Sequence, residues 1–402
     1  MPLYYKKVQR NSSDAVRFIE SRKRFSSGSV GARSKVNHSI KKDAIEMHSI
    51  NVELDTISPL ITSNRQLSED LKSKEEYIST RYGDLLVARQ GADHTTGKPV
   101  ILTYHDIGMN YVANFEGFFN FTDNKILLQS FAVFHINAPG QETDRLPIGF
   151  EYPTMDQLAS QVQDVLNHYN IKSFIGFGQG LGANVLSRLA LLIPDSVDGL
   201  FLINPQFSKS SWSEWFYQKK NIRSLVSENS SASLPLSMQD YLMWYHFGRE
   251  SEEREESSNE IMDIFREFYK GMSLNPYNLG LLIDSYIKRA AIAIERNGRN
   301  FKCQILVMTG ALSPQLEDTV NVISRLDPKN SSWMKISGCG MVLQEKPHKV
   351  AEALRLFLQG LGYTLKAYER RRALMSGMSL PCLTNVGKSL NDRRMTEIME
   401  FE

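Results

Sequence analysis

The chain has little cysteine: Cys303, Cys339 and Cys382 are the only three in 402 residues. Odd in number and far apart, they fit neither a disulfide framework nor a zinc site, and read as reduced thiols. No apolar run approaches the roughly 18–20 residues that span a bilayer. The opening Met1-Pro-Leu-Tyr-Tyr-Lys-Lys lacks the apolar stretch of a signal peptide. Pro2 stands where myristoylation needs glycine, and Phe401-Glu402 is no prenylation signal. Charge of one sign is not in excess either: 47 basic residues face 45 acidic ones, which argues against a nucleic-acid partner for the chain as a whole. No metal site or cofactor is expected. These features together predict a soluble, cytoplasmic protein.

Polar termini flank a regular middle. Up to residue 45, 11 Lys and Arg face only Asp14, Glu20 and Asp43. Residues 1–73 are therefore expected to be a basic, Ser-rich and largely disordered extension, with at most a marginal helix over Ala15–Arg24. A β-hairpin is expected from Glu76–Thr80 and Asp84–Arg89. Pro99–Tyr104, Phe131–Ile136, Ser173–Phe177 and Val197–Ile203 read as buried strands. Between them, Thr154 caps a helix to His168 whose apolar face is Leu158, Val162, Val165 and Leu166, and a second helix runs over Leu181–Ile193. Strands alternating with helices predict a mostly parallel sheet covered on both faces. The alternation stops after Asn204-Pro205. Residues 207–300 are expected to form a helical cap, including a helix over Ile261–Tyr269. Strands Cys303–Thr309 and Trp333–Ile336 and helix Pro347–Gln359 resume the core over 301–365, and 366–402 is expected to be a flexible tail.

At Phe174-Ile-Gly-Phe-Gly-Gln-Gly-Leu-Gly-Ala-Asn-Val185 the chain has the shape of a nucleophile elbow, the G-x-S-x-G turn from strand to helix. Gly176 and Gly180 fill its two glycine slots, and Gly178 stands in the serine slot. An acyl-transfer triad also needs an orienting acid and a base, in the order Ser, Asp or Glu, His. After Cys303–Thr309 the chain reads Gly310-Ala-Leu-Ser313-Pro314, which puts Ser313 in the acid slot. Glu317 and Asp318 follow, more suited to favouring a helix N-terminus than to serving a base. After Ile336, counting back from Glu345 and Pro347 puts Gly340 in the base slot, or Met341 with a one-residue shift. His348 lies beyond Pro347 and is expected to face solvent. The oxyanion loop is His105-Asp106-Ile-Gly108, so His105 and Asp106, with Gly176, Gln179 and Gly180, are the pocket candidates. His105 is expected to fix the loop beneath the elbow and His135 to be a packed core residue. A dinucleotide-binding reading of the glycine run fails, because that turn belongs after the first strand, and Asp198, about 20 residues on, opens the next strand.

Lys98-Pro-Val-Ile-Leu-Thr-Tyr-His-Asp-Ile-Gly-Met-Asn-Tyr111, His135-Ile-Asn-Ala-Pro-Gly140, Tyr152-Pro-Thr-Met-Asp-Gln-Leu-Ala159, Leu200-Phe-Leu-Ile-Asn-Pro205 and Phe357-Leu-Gln-Gly-Leu-Gly-Tyr363 resemble the N-myc downstream-regulated (NDRG) family, the non-catalytic branch of the α/β-hydrolase superfamily. The resemblance covers about residues 74–365. It implies an α/β-hydrolase fold with a helical cap, and a cytoplasmic signalling or adaptor protein linked to growth, differentiation and stress responses. The basic N-terminal extension departs from the family pattern, and the tail lacks the repeated Ser/Arg elements that some members carry. The alternatives are a sensor holding a small apolar or lipid ligand in the old pocket, and a hydrolase with a displaced site.

Without chemistry, function moves to surfaces and tails. Other proteins are the expected partners, together with weak contact between the basic N-terminus and anionic membrane. Arg22-Lys-Arg24 before Ser26 and Ser27, and Arg393-Arg394 before Thr396, fit basophilic kinase sites, where a phosphate adds about −1.5 to −2 charge. Trp212, Trp215, Phe216, Trp244, Tyr245 and Phe247 are expected to pack the cap onto the core, with a partner-binding patch as the alternative.

Overall fold

The computed structural model describes residues 73–363, apart from 122–123, 143, 227–232, 250, 253 and 272–273. The N-terminal extension with Ser26 and Ser27, and the tail with Thr396, lie outside the described residues.

Among the described residues eight strands form one sheet: β1 (Lys74–Thr80), β2 (Gly83–Gly91), β3 (Val100–Tyr104), β4 (Ala132–Ile136), β5 (Phe174–Gln179), β6 (Val197–Ile203), β7 (Gln304–Gly310) and β8 (Ser331–Ile336). Their order is β1-β2-β4-β3-β5-β6-β7-β8. β1–β2 and β2–β4 are antiparallel, and every later pair is parallel. Every residue of β3, β4 and β5 is buried, as a strand covered on both faces requires. On one face Phe115, Phe118, Phe119, Phe177 and Phe201 meet Val350, Leu354 and Leu358 in a continuous apolar cluster.

Helix α1 (Met155–His168) follows β4 and buries Leu158, Val162, Val165 and Leu166. Its start is a reciprocal cap: the Gln157 N–H donates to Thr154 Oγ1 (3.3 Å) and the Thr154 N–H to Gln157 Oε1 (2.8 Å). Helix α2 (Leu181–Leu192) follows β5 directly.

Among the described residues four helices lie between β6 and β7: α3 (Trp212–Val226), α4 (Leu236–Phe247), α5 (Glu256–Lys270) and α6 (Pro276–Ile287). The helical expectation for this stretch fails past Lys288. There Ile292 and Ile294 are buried while Ala291, Ala293 and Glu295 are exposed. That period of two belongs to extended chain, and Arg325 holds it by donating to the carbonyls of Ile292 and Ile294. Helices α7 (Leu316–Arg325) and α8 (Pro347–Gly360) complete the layers.

The expected aromatic packing of these helices divides. Tyr245 and Phe247 are buried, but Trp212, Trp215, Phe216 and Trp244 are exposed. Trp212 and Phe216 lie on α3 opposite its buried residues, Gln218, Asn221, Ile222 and Leu225, so they cannot reach the core.

Candidate functional site

The tip of the elbow is Gly180, not Gly178. Gly178 lies within β5, in regular register with Tyr104 and Leu202. Gly180 has φ 50° and ψ −111° and is the residue that turns the chain into α2. That conformation is strained for a residue with a side chain, as it is for the serine of a nucleophile elbow. The elbow therefore reads Gly178-Gln-Gly180-Leu-Gly182. Gly176 is a mid-strand residue paired with Leu102 and Leu200. Gln179 faces inward, where its Oε1 accepts from Asn114 Nδ2 at 3.0 Å.

The amide after the tip and an amide of the β3 loop are the donors that would hold an oxyanion in this fold. Here both are taken. Asp106 Oδ1 accepts from the Leu181 N–H at 2.9 Å and the Ile107 N–H at 2.7 Å. A Cβ built on Gly180 would collide with this carboxylate. Tyr245 of α4 adds a third donor, its hydroxyl 3.3 Å from the same oxygen. Burial pushes the Asp106 carboxyl up to about 7, against the lowering effect of those hydrogen bonds.

Helix α4 closes over this point. Leu242 packs on Gly108, and His246 donates from Nε2 to the Ile107 carbonyl at 3.0 Å. The other ring nitrogen of His246 stands 3.8 Å from Asp106 Oδ2. Burial lowers the His246 imidazole to about 3, so this contact joins a neutral ring to the carboxyl and is not an ion pair.

His105 is buried beneath the loop. Its Nδ1 donates to the Asp106 carbonyl (2.8 Å) and its Nε2 accepts from the Ala138 N–H (2.9 Å). With both nitrogens engaged and burial lowering it to about 4, it has no lone pair to offer a substrate. His135 is likewise internal, bonded to Thr103 Oγ1 at 2.8 Å across the β3–β4 register and to Gln90 at 3.3 Å.

The expected acid and base slots are occupied by other interactions. The Ser313 hydroxyl donates to Gln315 Oε1 at 2.7 Å, and Gln315 in turn donates to the Tyr245 carbonyl at 2.9 Å. Glu317 and Asp318 sit in the first turn of α7. At Gly340, a Cβ would run into the Phe247 carbonyl at the end of α4. The Gly340 and Met341 amides donate to Glu345 Oε2 at 2.8 and 2.7 Å. The other oxygen of Glu345 pairs with Arg254 at 3.1 Å, both side chains almost wholly out of solvent. His348 is exposed on α8.

The elbow and the base slot share one construction. In each, a buried carboxylate takes two backbone amides, and a residue from the α4–α5 region sits on that carboxylate: Tyr245 and His246 on Asp106, Arg254 on Glu345. Among the described residues no group of three His, Cys, Asp or Glu side chains is placed to hold a metal ion. The sequence reading named Asp106 and Gly180 but missed the roles of His246 and Arg254. Neither belongs to a motif; the signal available was a Tyr-His pair and an Arg placed among otherwise apolar or acidic neighbours.

Comparison with known proteins places this geometry. The model of the Ndr family matches residues 75–365. The chain belongs to the Ndr family. The Protein NDRG3 of Xenopus laevis is 37% identical to this Ndr-family chain over 327 residues, covering 78% of the chain and 83% of that protein. The Protein NDRG4 of Xenopus tropicalis is 32% identical over 316 residues, covering 77% and 74%. A thermophilic esterase from Thermogutta terrifontis superposes on 72% of the chain and 99% of its own length, with TM-score 0.57 and 16% identity. A hydrolase from Pseudomonas aeruginosa covers 71% and 98%, with TM-score 0.55 and 16% identity. At that identity the likeness establishes the fold alone: this Ndr-family chain has the α/β-hydrolase fold.

Proposed function

We propose that the chain is a non-enzymatic α/β-hydrolase-fold protein that works as a cytoplasmic signalling or adaptor protein in growth, differentiation or stress response. One observation carries the non-enzymatic reading: Asp106 occupies the amides of Leu181 and Ile107, directly over a glycine at the elbow tip. A reacting acyl group would need both the amides and the space. Binding and an oxyanion hole sustain only about 10³–10⁴-fold catalysis over water once a triad is lost, and here the hole is filled as well. The same filling speaks against a ligand in the old pocket, because Tyr245, His246 and Leu242 stand in it.

Family membership supports the adaptor role, with Ser26, Ser27 and Thr396 as its regulatory phosphorylation sites. A cytoplasmic setting agrees with the buried, unbridged thiols of Cys303 and Cys339, both pushed up to about 12. Among the described residues no helix is long and apolar enough to cross a membrane.

The test is a fluorophosphonate probe and an ester panel applied to the purified full chain. No labelling and no turnover are expected; labelling that disappears on replacing one serine would refute the reading. Proximity labelling with and without residues 1–70 tests the adaptor role. It should return a reproducible partner set that changes when the extension is removed.

A further inference from the structure

Helix α3 buries Gln218, Asn221, Ile222 and Leu225. At about 100° per residue these define one side of the helix, and the opposite side falls at positions 212, 216, 220 and 223. A surface helix ordinarily sets polar groups there. Instead Trp212 is 88% and Phe216 73% exposed, followed on the same stripe by exposed Lys220 and Arg223. Trp215 flanks the stripe, and exposed Lys209 precedes the helix. Glu214, the only acidic residue of α3, is off the stripe and held by Arg289 at 3.1 Å. A run of ring contacts continues the surface onto α4: Tyr217–Tyr241 at 5.6 Å and Tyr241–Trp244 at 5.9 Å. Asp240, four residues before Trp244 on α4, is exposed and is not part of the α3 stripe.

The geometry points to this face of α3 as a docking surface for bilayers carrying anionic headgroups. Large aromatic side chains beside Lys and Arg match the chemistry of the membrane interface, where rings settle at the headgroup level and bases meet lipid phosphates. The charge of the stripe is wholly positive, complementary to an anionic leaflet. Trp212 and Phe216 stand proud of the surface, free to enter the headgroup–acyl boundary as interfacial rings do. The surface is built from α3 residues, none of which belongs to the elbow, so it stands whether or not the adaptor reading holds.

Vesicle flotation with the full chain tests it, comparing phosphatidylcholine vesicles with vesicles containing about 30 mol % phosphatidylserine, the anionic lipid of the cytoplasmic leaflet. The wild type should float with the anionic vesicles only, and its Trp emission should shift to the blue. Trp212→Ala/Phe216→Ala should partition at least about tenfold more weakly, with an unchanged melting temperature because both side chains are exposed. Lys220→Glu/Arg223→Glu should lose anionic-vesicle binding to a similar degree. The inference is overturned if the wild type stays unbound, if it binds both vesicle types equally, or if the aromatic double variant binds as the wild type does, which would leave the N-terminal extension as the lipid contact. Failure to bind vesicles together with loss of a co-purifying protein in the aromatic variant would reassign the face to a protein partner.

Discussion

Replacing Asp106 by asparagine isolates the charge of the carboxyl from its shape. The amide oxygen can still accept from the Leu181 and Ile107 N–H groups, which the aspartate holds at 2.9 and 2.7 Å. In the folded protein burial raises the carboxyl to about 7, whereas the unfolded chain titrates near the ordinary 3.8. Between those values the folded state binds a proton that the unfolded state does not. Folding stability therefore falls with rising pH in that window, by about 1.4 kcal/mol per unit from this group. From pH 5 to pH 7 the wild type should lose roughly 2–3 kcal/mol relative to Asp106→Asn, and the difference should level off above pH 7. Urea unfolding of both proteins at pH 5, 6, 7 and 8, at constant ionic strength, reads the difference, and groups common to both cancel. Asp106→Ala provides the contrast: it leaves two buried amides without an acceptor, costing about 1–3 kcal/mol each at every pH. Parallel stability curves for wild type and asparagine variant from pH 5 to 8 would refute the idea that this carboxyl is buried and largely neutral in mildly acid solution.

Gly180→Ser should lower the melting temperature and give no esterase activity, since its Cβ meets the Asp106 carboxylate; adding Asp106→Gly should relieve the clash and still yield no turnover on an ester panel. Gly178→Ser should also produce no esterase, because that residue is not at the tip. Arg254→Met should cost about 3–5 kcal/mol in denaturant unfolding by leaving Glu345 buried without its partner, and Glu345→Gln in the same chain should recover part of the loss. Thr154→Ala should cost about 1 kcal/mol through the lost helix cap, measured the same way. His105, lowered to about 4, should show no imidazolium signal by NMR between pH 5.5 and 8.

The α/β alternation, the Thr154 cap and the internal roles of His105 and His135 were legible because each rests on local periodicity or on the residue's place at a strand end. The tip of the elbow was not. Gly176, Gly178, Gly180 and Gly182 recur at every second position, so G-x-S-x-G fits in more than one register, and only the positive φ of Gly180 selects between them. The aromatic residues after Asn204-Pro205 misled for a related reason. Composition gives their number, but which side of α3 they occupy depends on where Ile222 and Leu225 find the core. The contacts of Asp106 with Tyr245 and of Glu345 with Arg254 join segments about 90 to 140 residues apart, and no spacing rule reaches that far.

A serine at position 180 and a carboxylate at 106 claim the same volume. A route between an elbow with a hydroxyl at its tip and the present one must therefore cross a form bearing neither group, with the Leu181 and Ile107 amides turned to water or left bare. Restoring the hydroxyl first meets a steric block, and removing the acid first loosens the joint between sheet and overlying helices. Each single step toward a serine-bearing tip therefore costs stability, and only a paired change at positions 106 and 180 avoids the collision.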